Sequence, residues 1–121
     1  MNRNESLARD IYEWCKSKDV WMDCIIYFNG KAWSSSKTWG GENGVEIDNE
    51  LYEYAERNPL DFVEYANTET ITMTFEGGLY HILNGYTAGW IKLEDEFKNI
   101  FEKYGFYSEM GYAWSLAAYE L

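Results

Sequence analysis

Apolar residues recur at three- and four-residue spacing near the start of the chain: Leu7, Ala8, Ile11, Trp14 and Cys15. That spacing predicts an amphipathic helix over 5–17, with Arg9, Asp10, Glu13 and Lys16 on the other side and Asn4 or Ser6 as its cap. The period then changes. Val20 to Phe28 is rich in β-branched and aromatic residues and predicts a strand. Asn29-Gly30 is a strong two-residue hairpin signal, and Lys31-Ala-Trp-Ser-Ser-Ser is the expected return strand. The polar, glycine-containing run 34–44 is expected to be a loop carrying Trp39.

Between 44 and 65 the spacing becomes helical again. Ile47, Leu51, Tyr54 and Ala55 share one face of a 3.6-residue wheel, and Glu46, Glu50 and Glu53 another. Asn58-Pro59 interrupts this pattern, because proline disfavours helix for the residue before it and suits the first turn of a new one. Two short helices are expected, over 49–57 and 59–66, with Phe62, Val63 and Ala66 inward in the second. Thr70 to Glu76 alternates with period two and predicts a strand. Gly77-Gly78 is expected to turn it, with Leu79-Tyr-His-Ile-Leu returning. Ile91 to Tyr104 is the clearest helix, with Ile91, Phe97, Ile100, Phe101 and Tyr104 inward and Gly105 placed to end it. The tail after Gly111 fits both periods: Tyr112, Trp114, Leu116 and Ala118 alternate, while Met110, Trp114, Ala117 and Leu121 fit a helix. A strand is the expectation, since it completes the sheet begun by two hairpins.

The fold expected is therefore α+β in one domain over 1–121. It is an antiparallel sheet of about five strands, two hairpins plus a C-terminal strand, with helices packed on one face in the order α-ββ-αα-ββ-α-β. Composition agrees. The chain has 121 residues, 46% of them hydrophobic, enough for one core. No apolar run approaches the ~20 residues of a membrane span and no leader pattern opens the chain, so a cytoplasmic location is expected. Cys15 and Cys24, the only cysteines, are expected to be buried thiols. With a single histidine, His81, neither a zinc site nor a His-activated nucleophile is expected. No phosphate-cradling loop is present. Residues 42–48 place oxygen ligands at alternate positions but lack the full spacing of a calcium loop. No cofactor is expected, and no enzyme.

Charge changes the picture most. The formal net charge is −11. Residues 38–91 carry one arginine against ten acids, a net of −9, whereas residues 1–37 are near neutral at +1. Such a balance repels nucleic acid and anionic membranes and steers the chain toward basic protein surfaces. Glu46, Asp48, Glu50, Glu53, Glu56, Asp61 and Glu64 crowd the two expected central helices. Like charges three or four apart destabilise a helix by about 0.2–0.5 kcal/mol per pair, so the fold gains nothing obvious from them. Carboxylates one helical turn apart recur about every 5 Å, against about 3.4 Å for the phosphates of one nucleic-acid strand.

In acidic balance, size and helix-borne carboxylates the chain resembles in type the small anti-CRISPR and antirestriction inhibitors of phages and mobile elements. That resemblance implies a partner-binding surface of Glu46, Asp48, Glu50, Glu53, Glu56, Asp61 and Glu64, with Trp39 as an aromatic anchor. The surface would occupy the basic nucleic-acid channel of a defence nuclease. The same surface suits an immunity protein or antitoxin against a basic nuclease toxin. The aromatic content of 19% leaves open a ligand-binding domain with an aromatic pocket, and a structural interaction module is the fourth alternative.

Overall fold

The computed structural model describes residues 2–39 and 47–121, the side chains of Ile47 and Asp48 excepted. Among these residues six strands form one antiparallel sheet: β1 (Cys24–Phe28), β2 (Lys31–Ser36), β3 (Ile47–Tyr54), β4 (Thr72–Phe75), β5 (Phe106–Met110) and β6 (Ser115–Glu120). Their spatial order is β3-β2-β1-β4-β6-β5. Three helices, α1 (Arg3–Ser17), α2 (Gly78–Leu83) and α3 (Trp90–Lys103), cover one face. The α+β class and the one-sided helical layer match the sequence expectation, with one strand more.

The helix-side core follows from the strand period. Cys24, Ile26 and Phe28 of β1, Met73 and Phe75 of β4, and Leu116 and Ala118 of β6 meet Leu7, Ile11 and Cys15 of α1 and Phe97 and Phe101 of α3. Cys15 and Cys24 are buried free thiols. The cap of α1 is Asn2, whose Oδ1 accepts from the Glu5 amide at 2.8 Å, two residues before the expected cap. In the first hairpin Phe28 pairs with Lys31, and Asn29 (φ 51°) and Gly30 (φ 76°) both take the left-handed conformation that a tight two-residue turn demands. Gly105, at φ 84°, follows α3 as expected. Ile91, expected inward, is exposed on the first turn of α3.

Three expected elements are corrected. The stretch 49–57 is not a helix: 47–54 is β3, an edge strand paired with β2 through Trp33↔Glu53 and Ser34↔Tyr52. A helix would stack Glu46, Glu50 and Glu53 against one another. A strand instead buys cross-strand bonds from Trp33 Nε1 to Glu53 (2.9 Å) and from the Tyr54 hydroxyl to Ser36 O (2.7 Å). Asn49 at φ 64° and a register shift between Ser34 and Ser36 break the strand's period, which is why its apolar residues mimic a helical repeat. The second expected helix, 59–66, shrinks to one 3-10 turn, η1 (Pro59–Asp61), capped by Asn58. The expected return strand 79–83 is α2, with Leu79 and Ile82 buried one turn apart. The true partner of β4 on that side is β6, and β5, which the sequence reading missed, is the second edge.

Candidate binding face

The sheet face away from the helices carries Tyr54 of β3, Ala32 and Ser34 of β2, Ile25 and Tyr27 of β1, Thr72 and Thr74 of β4, and Ala117 of β6, as the registers require. Small and hydroxyl side chains dominate it, leaving room for aromatics from connecting segments. Residues 55–69 cross this face. The Arg57 amide bonds to Gly30 O at the hairpin, and the Phe62 ring stacks on Tyr27 at 5.9 Å. Tyr65 packs against Gly111, where an added Cβ would lie 3.1 Å from its own. Asn67 then donates to Ala118 O at 2.9 Å.

Trp39 is not a free anchor. It is half-buried and edge-on to Tyr27 (6.0 Å) and Phe62 (5.3 Å), with Tyr54 5.1 Å away. The Arg57 guanidinium lies 4.8 Å over its ring and 5.6 Å over Tyr54, a cation–π contact built on that face. Burial raises the Tyr27 phenol pKa to about 12, with Arg57 opposing.

Two adjoining clefts flank Phe62. One, of about 240 Å³, is lined by Tyr27, Phe62, Trp114, Ser35 and the acidic Asp23 and Glu76, among others. The other, of about 300 Å³, is lined by Ile25, Tyr27, Ser34, Trp39 and Phe62. They share Ile25, Tyr27, Ser36 and Phe62. Among the described residues no Lys or Arg side chain lines either one. Asp23 (φ 65°) sits where the chain enters β1, and Glu76 leaves β4 beside it, its amide bonding to Asp23 O at 3.3 Å. Ser35 Oγ is buried and, among the described residues, has no hydrogen-bond partner. Further along the same face, Glu109 borders a hollow with Tyr65 and Tyr119. Glu56 borders another beside Gly30 and Pro59.

The residues expected from sequence to form one acidic ridge do not stack along a helix. Glu46 and the side chain of Asp48 lie outside the described residues. Glu50 is exposed and partnered, and its carbonyl accepts from Trp21 Nε1 at 2.7 Å. Glu53 is on the helix side, held by Trp33 and, at 3.0 Å, by Lys31; those hydrogen bonds, Trp33's first, lower its pKa. Glu64 accepts from the Tyr112 hydroxyl. Glu56 and Asp61 are exposed and, among the described residues, make no ion pair.

Among the described residues the six ion pairs lie toward the helical side, although Arg9, Lys16, Lys92, Glu13, Asp95 and Glu102 of α1 and α3 join none. Arg3–Glu120, Lys18–Glu96, Lys31–Glu5, Lys31–Glu53, Lys98–Glu94 and Lys103–Asp10 all involve α1, α3 or the helix-side ends of β2 and β3. Among the described residues Asp23, Glu56, Asp61, Glu76 and Glu109, all off that side, join none. Asp23, Glu76 and Glu109 were missed in the sequence, where each is an isolated acid. Only the pairing of β1 with β4, and of β5 with β6, brings them to this face. Among the described residues no cluster of His, Cys, Asp or Glu is arranged to hold a metal, and no helix is long and apolar enough to cross a membrane. Compared with family models, curated proteins and solved structures, the chain shows no significant match to any.

Proposed function

We propose that this protein is an acidic inhibitor that binds the basic, nucleic-acid-binding surface of a partner protein, a defence nuclease being the class its size and charge fit best. Its contact surface is the helix-free side of the sheet. One observation supports the reading: among the described residues all six ion pairs lie toward the helical side, while Asp23, Glu56, Asp61, Glu76 and Glu109 around the opposite face join none. Unpaired surface carboxylates repel one another and add nothing to the fold. Set around aromatic clefts, they supply what a basic surface recognises, charge for steering and rings for contact area. Asp61 and Glu56 are kept from the set read in the sequence, joined by Asp23, Glu76 and Glu109. The protein binds and blocks; it performs no chemistry in this reading.

The test is affinity capture from host cells with the parent protein and with a variant carrying Asp23→Asn, Glu56→Gln, Asp61→Asn, Glu76→Gln and Glu109→Gln. Capture of a nucleic-acid-binding protein by the parent, competed by duplex DNA and by salt and lost in the variant, is the expected result. Recovery unchanged in the variant at low salt would remove the charge argument.

A further inference from the structure

We infer that the cleft between Phe62 and Trp114 receives one arginine side chain of the partner, a step that rests on the proposed binding of a basic protein. At about 240 Å³ it is smaller than the ~300–1,000 Å³ of small-molecule sites, and suits a single long side chain. Its walls are flat: Tyr27, Phe62 and Trp114. Among the described residues its charged groups, Asp23 and Glu76, are both acidic, so the face is complementary to a cation.

Two carboxylates set around ring walls match a planar group with five N–H donors. An ammonium is a compact, strongly hydrated point charge and gains less from ring walls. Trp39, which borders the neighbouring cleft, already shows the chemistry within the chain: the Arg57 guanidinium lies 4.8 Å over its ring. Phe62 borders both clefts, so an arginine of the partner would lie in the cleft next to the one that Trp39 borders.

The experiment titrates ¹⁵N-labelled full-length protein with N-acetyl-Gly-Arg-Gly-amide and with its lysine and citrulline counterparts, following amide and indole signals. Saturable shifts at the Trp114 indole and the Asp23 and Glu76 amides are expected with the arginine peptide. Affinity should be at least about tenfold lower for lysine and for citrulline, which keeps the shape without the charge. Asp23→Asn with Glu76→Gln should weaken the arginine peptide by a similar factor, and Glu102→Gln on α3 should not. Equal affinity for lysine or citrulline, absence of saturation, shifts centred elsewhere, or indifference to the double substitution would each overturn the inference. Partner capture that survives Asp23→Asn/Glu76→Gln but falls with Glu56→Gln/Asp61→Asn/Glu109→Gln overturns the cleft and leaves the proposed function standing. Arginine-peptide binding with capture indifferent to every acid does the reverse.

Discussion

Replacing Gly77 by alanine separates the two readings of the Gly77-Gly78 pair. As a two-residue hairpin turn, the pair would sit at positive φ and tolerate asparagine. In the structure neither glycine is among those with positive φ. A Cβ on Gly77 would instead lie 2.7 Å from Met22 O and 3.3 Å from Asp23 Cβ. The first is a carbon pressed against a backbone carbonyl at the entry to β1, so the strand ends must part. Overpacking of this kind costs about 1–3 kcal/mol. For a chain of this size that lowers Tm by about 4–12 °C. Gly78→Ala meets the stiff, β-branched Val20 at Cγ1 (2.8 Å) and Cβ (3.1 Å), but it gains helix propensity of up to about 1 kcal/mol in α2 that offsets part of the clash. Its net loss should be smaller. Urea unfolding and thermal scans of Gly77→Ala, Gly77→Asn and Gly78→Ala give the comparison. If Gly77→Ala and Gly77→Asn both stay within about 0.5 kcal/mol of the parent, close approach is not what requires glycine there. Because Asp23 is one of the atoms struck, Gly77→Ala should also shift the amide signals bordering the Phe62–Trp114 cleft.

Glu53→Gln tests the ion pair that holds β3 on the sheet. The Trp33 and Lys31 hydrogen bonds set the Glu53 pKa below its unfolded value. Its contribution is therefore complete above the unfolded pKa and disappears as pH falls through the folded one. The carboxylate is half exposed, so the parent's advantage at pH 7 should be at most about 1 kcal/mol. That advantage should shrink to nothing on acidification, and a difference independent of pH would refute the assignment. Tyr27, buried and titrating at about 12, should be a phenol that lags the rest in an alkaline absorbance titration. The unfolded chain loses this proton near 10, so stability should fall as pH rises from there toward 12. Tyr27→Phe should abolish the lag, and an unchanged curve would show that the ring is not buried.

Sequence alone determined the elements whose signals are local. Strict i, i+3, i+4 spacing places Leu7 to Cys15 and Phe97 to Phe101 on helices, because a helix side needs no distant partner to be defined. Asn29-Gly30 determines the first hairpin, since its two left-handed residues are dictated by backbone sterics. Residues 47–54 were undecidable for the opposite reason. Their apolar spacing, distorted by the left-handed Asn49, is satisfied equally by either period, and only pairing with β2 makes Glu53 face Trp33 and Tyr54 reach Ser36. Likewise α2 exists because β6 has taken the place beside β4, leaving Leu79 to Leu83 no strand to join. The net charge of −11 was legible at once, but its segregation was not. Which carboxylates are neutralised and which are left facing outward depends on the partners that tertiary contacts bring within reach. That is why Glu53 left the candidate surface and Asp23, Glu76 and Glu109 entered it.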